Sequence, residues 1–311
     1  MTRLLDEQPE PDSEREEVVQ EILRLDPSGE RWAAILRHTY DTLYNGAETG
    51  RYRWDQLAKT EKTHFGTIFE INAQRAFEFA DGDKLDFQIA GHDVDAKWSQ
   101  DDGKWMLPPE VIGALALVAT GSDTRATFSL GVVRVKPEYL STGAGNRDKK
   151  LTLSAFGRTQ VLWIWRDASF PPSVLLQLPP SDVDHIFDHR SGTVRVDRLF
   201  RAAEGRPVHR STVRTVAMQL DDQKRVRRNG GSRSSLAPEG FIILSGKYHA
   251  HLVQALGFAE LSPLQYLSVR VVPSDDQDHG AMIAGRRWRR ARPEEQVTEA
   301  APDLPERGVR E

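Results

Sequence analysis

Residues 84–99, KLDFQIAGHDVDAKWS, contain the charged side chains whose types and spacing point most directly to chemistry. The alternation of polar and apolar positions predicts a hairpin in which Asp86 lies opposite Lys97 and Gln88 lies opposite Asp95. The two aspartates and the lysine then emerge together on one face of the hairpin. A one-residue slip in register would bury them, and the apolar residues of the other face exclude that slip.

Two carboxylates on neighbouring strands, roughly 5–7 Å apart, can share a hard divalent cation such as Mg²⁺ through their oxygen atoms. An ammonium group beside them can orient or deprotonate a water molecule and stabilise negative charge that develops on phosphorus. This combination is typical of phosphodiester hydrolysis. A solvated hairpin face with a simple Asp86–Lys97 ion pair is the alternative that spacing alone leaves open.

The elements that must position these residues follow from hydrophobic periodicity. Strands are predicted over 84–90 and 93–99, with the turn at Gly91-His92. A helix over residues 60–79 precedes them, because apolar residues recur there at every fourth position. The apolar stripe of this helix consists of Phe65, Phe69, Ala73 and Phe77.

Glu70 lies on this helix, one turn after Gly66. Glycine in a helix interior costs about 1 kcal/mol relative to alanine, so Gly66 could mark the close approach of another backbone. In the alternative interpretation, Gly66 is a packing residue and Glu70 is simply exposed. The order of helix glutamate, strand aspartate, turn and Asp-x-Lys adds a third carboxylate to the candidate site.

The ordered set Glu70, Asp86, Asp95 and Lys97 resembles the core of the PD-(D/E)XK nucleases. Longer blocks resemble the NaeI-type (type IIE) restriction endonucleases, and this resemblance runs from about residue 25 to residue 290. The blocks that carry it are LYNGAETGRYRWDQLAKTEKTHFGTIFEIN, KWMLPPEVIG, KRVRRNGGSRS, APEGFIIL and GRRW.

The resemblance implies a homodimeric, Mg²⁺-dependent type II enzyme that acts on double-stranded DNA, and it suggests GCCGGC as the recognition sequence. It implies that Asp86 and Asp95 ligate the metal, that Glu70 binds the metal or its water, and that Lys97 acts on the attacking water. Leu85 stands where the superfamily often has proline, and Asp95 takes the place of the commoner glutamate. Both departures are mild.

The implied fold class is α/β: an N-terminal restriction-endonuclease-like domain and a C-terminal winged-helix α+β domain of the catabolite-activator type, which would bind a second, effector duplex. Shifts in composition place the domain boundaries, and RDASFPP marks the linker. We predict a disordered acidic leader at 1–13, the endonuclease domain at 14–166, a linker at 167–172, the winged-helix domain at 173–292 and a disordered tail at 293–311.

Charge is distributed unevenly along the chain. Residues 1–30 carry 3 basic and 10 acidic side chains, whereas residues 201–292 carry 16 basic and 8 acidic side chains. The second stretch has the positive charge that phosphate groups attract. The DNA-binding candidates in it are Lys224, Arg225, Arg227, Arg228, Arg233, Arg286 and Arg287.

A helix-turn-helix pattern lies within this basic stretch. A helix at 211–220, with Ser211 as its N-cap, is followed by a short helix at 222–228 on which Lys224 and Arg228 share a face. Strands follow, and this order fits a winged helix-turn-helix. A solvated basic helix is the alternative interpretation.

Two other patterns favour structural interpretations. His185 and His189 are four residues apart and could bind Zn²⁺, but no convincing third ligand lies near them in the sequence, and surface histidines are the better interpretation. The stretch LYNG at 43–46 has the shape of the KxDG signature of nucleotidyl-transferring ligases without its lysine nucleophile. Its leucine also falls on the apolar stripe of a helix, which favours core packing.

Composition excludes several classes of protein. The chain of 311 residues has no cysteine, which excludes disulfides and thiolate metal sites. The longest apolar run, IGALALVAT at 112–120, is too short to cross a bilayer, and the N-terminus has no secretory pattern, so we expect a cytoplasmic protein. The leading hypothesis is a site-specific DNA endonuclease. The alternatives are a non-catalytic DNA-binding regulator and a repair or nicking nuclease on the same core.

Overall fold

Two β-sheets with flanking helices place the protein in the mixed α/β class. The computed structural model describes residues 9–143, 147–275 and 280–305. Within these ranges, no helix combines the length and apolar character that crossing a membrane requires.

Backbone contacts divide the described residues into two units, each with its own core. The first unit contains the residues up to Leu43 together with Arg53–Pro172. The second contains Tyr44–Tyr52 together with the residues from Ser173 onward. A short segment from the N-terminal part of the chain is therefore built into the second unit.

A six-stranded mixed sheet forms the centre of the first unit. The strands follow one another across the sheet in chain order, and only β3 and β4 are parallel. The strands are Ala80–Asp81 (β1), Phe87–Ile89 (β2), His92–Ser99 (β3), Leu115–Ser122 (β4), Thr127–Arg134 (β5) and Leu162–Ser169 (β6).

Most of the apolar run at 112–120 forms strand β4. Its first five residues are all buried, as expected of a strand that is covered on both faces and paired on both edges. It pairs in parallel with β3, which carries Asp95 and Lys97. The central position of β4 therefore fixes the strand that bears the candidate site.

Helices surround this sheet, and the stripe predicted for residues 60–79 is buried as expected. The prediction of a single helix is wrong in one respect, because the chain forms two helices that meet at His64. The His64 N–H bonds the Glu61 carbonyl, three residues back, and this tighter turn separates two helices. The first six helices are Ser13–Leu25 (α1), Glu30–Tyr44 (α2), Gly46–Thr49 (α3, in the second unit), Lys59–Thr63 (α4), Phe65–Phe77 (α5) and Ala155–Thr159 (α6).

The described part of the acidic leader, from residue 9 onward, makes defined contacts with the first unit. The Asp12 carboxylate accepts the Arg15 N–H at 3.0 Å and caps α1. It also pairs with Arg134 at 2.9 Å, which lowers the pKa of Asp12 to about 2. Glu10 pairs with Lys136 at 2.7 Å. Residues 1–8 lie outside the described residues.

The first half of the predicted linker also has regular structure. Strand β6 extends through Ser169, which pairs with Thr127, and Ala168 pairs with Phe128. The Phe170 N–H then bonds the Ala126 carbonyl. Residues 167–169 thus form the end of a strand, because β5 continues to supply hydrogen-bond partners beyond the point where composition changes.

A second, five-stranded antiparallel sheet lies in the second unit, with β9 at its branch point. Its strands are Pro207–His209 (β7), Phe241–Ser245 (β8), Gln265–Pro273 (β9), Ala281–Ile283 (β10) and Arg286–Arg290 (β11). The remaining helices are Pro180–Phe187 (α7), Gly192–Ala202 (α8), Arg210–Ala217 (α9), Asp222–Val226 (α10), Ser232–Ser235 (α11) and Ala250–Ala255 (α12).

Two details of the predicted helix pair are wrong. Helix α9 begins at Arg210, so Ser211 lies in its first turn, and the His209 side chain is the N-cap that accepts the Ser211 N–H. Helix α10 ends at Val226 because the next residue, Arg227, adopts an extended backbone. The expected shared helical face of Lys224 and residue 228 is therefore absent.

The predicted disordered tail takes defined positions on the second unit as far as residue 305. The Ala301 N–H bonds the Ala237 carbonyl at 2.8 Å, and Leu304 packs against the apolar cluster around β9. The His249 side chain bonds the Pro305 carbonyl at 3.2 Å. Residues 306–311 lie outside the described residues.

We expect Gly46→Ala to destabilise the protein by about 1–3 kcal/mol, the usual cost of overpacking a filled site. A Cβ at Gly46 would lie 2.1 Å from Oγ1 of buried Thr215 on α9 and 2.8 Å from the Arg51 carbonyl oxygen. Urea unfolding of the variant measures the loss.

Gly66→Ala is the matched control. The nearest atom to a Cβ at Gly66 is Trp98 Cβ at 3.9 Å, an ordinary contact, so the close backbone approach expected from the sequence is absent. This variant should equal the wild type or gain up to about 1 kcal/mol from better helix propensity. Equal stabilities for the two variants would contradict the tight packing at Gly46.

Candidate active site

The hairpin pairs in a register two residues away from the predicted one. Phe87 pairs with Val94 and Ile89 pairs with His92, so the turn is Ala90-Gly91 rather than Gly91-His92. Both turn residues have positive φ, 53° and 82°, as the tightest hairpin turns require. A shift by two residues keeps every side chain on its predicted face.

The shift changes which charged residues face each other. Extending the register by one pair places Asp86 opposite Asp95 rather than opposite Lys97. Asp86 lies just before β2, and its Oδ2 accepts the Ala96 N–H at 2.6 Å. Asp86 is therefore held by the backbone of β3, beside the two other charged groups.

Lys97 lies between the two aspartates. Its Nζ is 2.6 Å from Asp95 Oδ2 and 3.9 Å from Asp86 Oδ2, and it donates to the Ala96 carbonyl at 3.1 Å. The Asp95 side chain is only 7% exposed, against 22–23% for the other two. The Lys97 ammonium group thus offsets the repulsion between the Asp86 and Asp95 carboxylates.

Glu70 on α5 belongs to the same electrostatic cluster. Its pKa is raised, first by burial and then by the Asp86 charge, with Lys97 opposing and Asp95 adding to the shift. Helix α5 is fixed against β3 because Phe65 and the next residue of its stripe pack on the Trp98 ring. The structure therefore groups Asp86 and Asp95 around Lys97 and places Glu70 near enough for their charges to influence its pKa.

Burial has the largest effect on the pKa of Asp95. It raises the pKa of Asp95 to about 6, although the Lys97 ammonium works in the opposite direction. Two carboxyl groups with raised pKa values, Asp95 and Glu70, form an oxygen-rich site in which added positive charge is favourable. That donor set fits a hard divalent cation. Among the described residues, no three His, Asp or Glu side chains are already spaced to hold a metal ion.

The predicted DNA-binding residues differ in how far they are already engaged. Arg228 pairs with Asp303, and Arg286 pairs with Glu299 at 2.8 Å. Arg225 donates to two side-chain oxygens, those of Gln219 and Thr193. Arg287 makes one long bond, 3.5 Å, to the Gly280 carbonyl.

The other three DNA-binding candidates are exposed or line a pocket. Lys224 is exposed on α10. Arg227 and Arg233 line a pocket in the second unit, together with three residues that sequence reasoning missed: Arg210, Lys247 and Tyr248. The available signal was the basic-aromatic pair Lys247-Tyr248 shortly after β8.

The two structural interpretations from the sequence agree with the geometry. His189 Nδ1 accepts the Ser191 N–H at 3.0 Å, and His185 is exposed. Leu43 is buried, at 8% exposure, which confirms core packing for the residue that stands in the lysine position of the ligase-like stretch.

Comparison with known proteins identifies the family to which this chain belongs. The family model described as restriction endonuclease NaeI matches residues 16–299. The type II restriction enzyme NaeI of Lentzea aerocolonigenes is 44% identical across 96% of this chain and 97% of that protein. These matches confirm the resemblance found in the sequence, and the chain belongs to the NaeI restriction endonuclease family.

Proposed function

We propose that the protein is a type II site-specific deoxyribonuclease that hydrolyses phosphodiester bonds within GCCGGC, or a closely related GC-rich palindrome, with Mg²⁺ as cofactor. The observation that carries the proposal is the Lys97 ammonium, 2.6 Å from Asp95 and 3.9 Å from Asp86, beside Glu70. We interpret this set as a PD-(D/E)XK core.

The residues of this site have distinct roles in the proposed reaction. Glu70, Asp86 and Asp95 would hold Mg²⁺, which supplies Lewis-acid stabilisation of the charge on the phosphoryl oxygens. Lys97 donates hydrogen bonds to the attacking water and stabilises negative charge in the transition state. Asp86 additionally fixes the backbone through its 2.6 Å bond from Ala96, which keeps the strand that carries the other groups in position.

The second unit supports a DNA-binding role of the winged helix-turn-helix type. Strand β7 lies between helices α8 and α9, and helices α9 and α10 are followed by strands β8 to β11 of the same antiparallel sheet. A helix pair followed by antiparallel strands is the order expected of that fold. We propose that the enzyme acts as a homodimer and that the second unit binds an effector duplex that activates cleavage. The basic composition of residues 201–292 supports this role.

Plasmid cleavage tests the proposed activity. Purified protein incubated with a GCCGGC-containing plasmid and Mg²⁺ should give linear DNA whose sequenced ends map to that site. Nicked circles alone would favour the repair or nicking nuclease, and binding without any strand scission would favour the non-catalytic regulator. Ends at unrelated sequences would contradict the proposed specificity.

The effector proposal has a separate test. Plasmids with two sites should be cut faster than plasmids with one, and a short cognate duplex should accelerate cleavage of the slow substrate. The expected coupling is about 1–3 kcal/mol, roughly 5–150-fold in affinity. Equal rates on both plasmids, unchanged by the added duplex, would reduce the second unit to an anchor.

A further inference from the structure

We infer that the second unit receives a DNA phosphodiester group in a pocket formed by Arg210, Arg227, Arg233 and Lys247, hereafter the basic pocket. This inference rests on the proposed function and assigns the contact to specific residues. The basic pocket has a volume of about 170 Å³ and also contains the exposed ring of Tyr248. That is several times the ~30 Å³ of one liquid water molecule, and it leaves room for a phosphate group.

The charge around the basic pocket is strongly positive. Four of its lining residues are basic, and none of the described residues that line it is acidic. Arg210 is paired with Asp222, but the same carboxylate also receives Arg214 and the Tyr266 hydroxyl. One buried anion thus serves two arginines, and the net charge that an incoming anion meets remains positive.

The three arginines are fixed before any ligand binds. Each uses its Nε to donate to the protein: Arg210 to Asp222 at 3.0 Å, Arg227 to the Asn229 carbonyl at 2.9 Å, and Arg233 to the Ile243 carbonyl at 3.0 Å. These bonds fix the planes of the guanidinium groups. Planar, oriented guanidinium groups suit phosphate oxygens, and prior ordering lowers the entropic cost of binding.

Lys247 completes the basic pocket from the loop after β8. Its side chain is exposed, and its Nζ lies 5.1 Å from the centroid of the Tyr248 ring. A cation held beside an aromatic face in this way remains accessible to a second, anionic partner.

Other candidate arginines would have to give up existing partners to contact DNA. Arg228 and Arg286 are paired with carboxylates of the tail, Asp303 and Glu299, and Arg225 is bound by two neutral side chains. Within the basic pocket, Arg227 and Lys247 form no ion pair with an acidic side chain among the described residues, so a phosphate oxygen can bind them without displacing a carboxylate. It is therefore the part of the second unit best prepared for a phosphate.

Salt-dependent binding tests the inference in the full chain, measured in Ca²⁺ and with Lys97→Ala added to slow cleavage of the DNA. Lys247→Ala and Arg227→Ala should each lower the slope of log K against log salt by about one, equivalent to roughly tenfold weaker binding at 0.1 M salt. Arg190→Ala is the control, because Arg190 is exposed and lies outside the basic pocket. Fluorescence anisotropy with a labelled duplex gives affinity and slope, and circular dichroism confirms folding.

The possible outcomes distinguish a failure of the proposed function from a failure of the inference about the basic pocket. If the parent protein neither binds DNA nor, with Lys97 intact, cuts plasmid, the proposed function fails and the inference fails with it. If the parent protein binds and cuts, but Lys247→Ala and Arg227→Ala both match Arg190→Ala in affinity and slope, the basic pocket is not a phosphate site. A slope loss confined to the two pocket variants supports the assignment.

Discussion

Substitution of Lys97 with alanine is expected to slow DNA cleavage by about 10²–10⁴-fold, the range for a lost charge-stabilising donor or proton-transfer group. DNA affinity should change little, because the positive charge that attracts phosphates lies mainly on other residues. The expected loss of cleavage rate follows from the position of Lys97, whose Nζ lies 2.6 Å from Asp95 and 3.9 Å from Asp86. It is the charged donor positioned where the carboxylates converge.

Single-turnover cleavage in Mg²⁺ measures the effect, and anisotropy in Ca²⁺ measures binding, since Ca²⁺ occupies oxygen sites with looser geometry and should support binding without cutting. Lys104→Ala is the control, because Lys104 is an exposed lysine that pairs with Asp101 at the surface. Cleavage by Lys97→Ala at a rate similar to that of the control would remove Lys97 from the mechanism.

The candidate site could be predicted from sequence because alternation in a strand is robust to an even register error. The expected turn at Gly91-His92 is wrong, since a non-glycine residue, Ala90, adopts positive φ, which composition rarely signals. The error is two residues, so Asp95 and Lys97 remain on the predicted face. Only the cross-strand partner of Asp86 changes.

The basic surface could not be predicted as well. The sequence gives the number of positive charges, but it does not show which arginines form ion pairs with acidic residues elsewhere in the chain. The pairing of Arg228 with Asp303 and of Arg286 with Glu299 spans 75 and 13 positions, and a segment predicted to be disordered supplies both acids. Conversely, Arg210 lines the basic pocket while Asp222, 12 positions along the chain, holds its guanidinium group.

The same limitation applies to domain boundaries. Nothing in the composition of residues 44–52 indicates that they pack with helix α9, in the second unit. The observation that explains it is steric, the absence of a Cβ at Gly46 beside Thr215. Long-range fit of this kind is not encoded in local periodicity, whereas the buried stripe of α5 is.

Asp95→Asn should abolish Mg²⁺-supported cleavage and, without metal, make the protein more stable at neutral pH. Burial raises the pKa of Asp95 to about 6, above the ordinary value near 3.9. The folded state therefore holds more protons than the unfolded state between about pH 4 and pH 6, and the free energy of unfolding falls as pH rises through that window. At pH 7 the cost is of order 3 kcal/mol, and the neutral amide removes it.

Urea unfolding in EDTA between pH 4.5 and pH 8 tests this expectation. The wild-type free energy of unfolding should decline up to about pH 6 and then level off, and the Asp95→Asn profile should be flatter and higher at pH 7. Added Mg²⁺ should stabilise the wild type by mass action and not the variant. Parallel pH profiles for the two proteins, with equal responses to Mg²⁺, would contradict a buried, metal-binding Asp95.

Asp86→Ala tests whether Asp86 affects the stability of the metal-free protein mainly through charge repulsion or through its hydrogen bond from the β3 backbone. The sequence alone leads us to expect a small gain in stability from removing either of two repelling carboxylates. The structure changes that expectation for Asp86, because its Oδ2 accepts the Ala96 N–H at 2.6 Å, and loss of a bond to a charged acceptor costs about 1.5–3 kcal/mol. Asp86→Ala should thus destabilise the metal-free protein while Asp95→Asn stabilises it, although both lose cleavage. A gain in both variants would mean that repulsion between the carboxylates outweighs the support that Asp86 gives to β3.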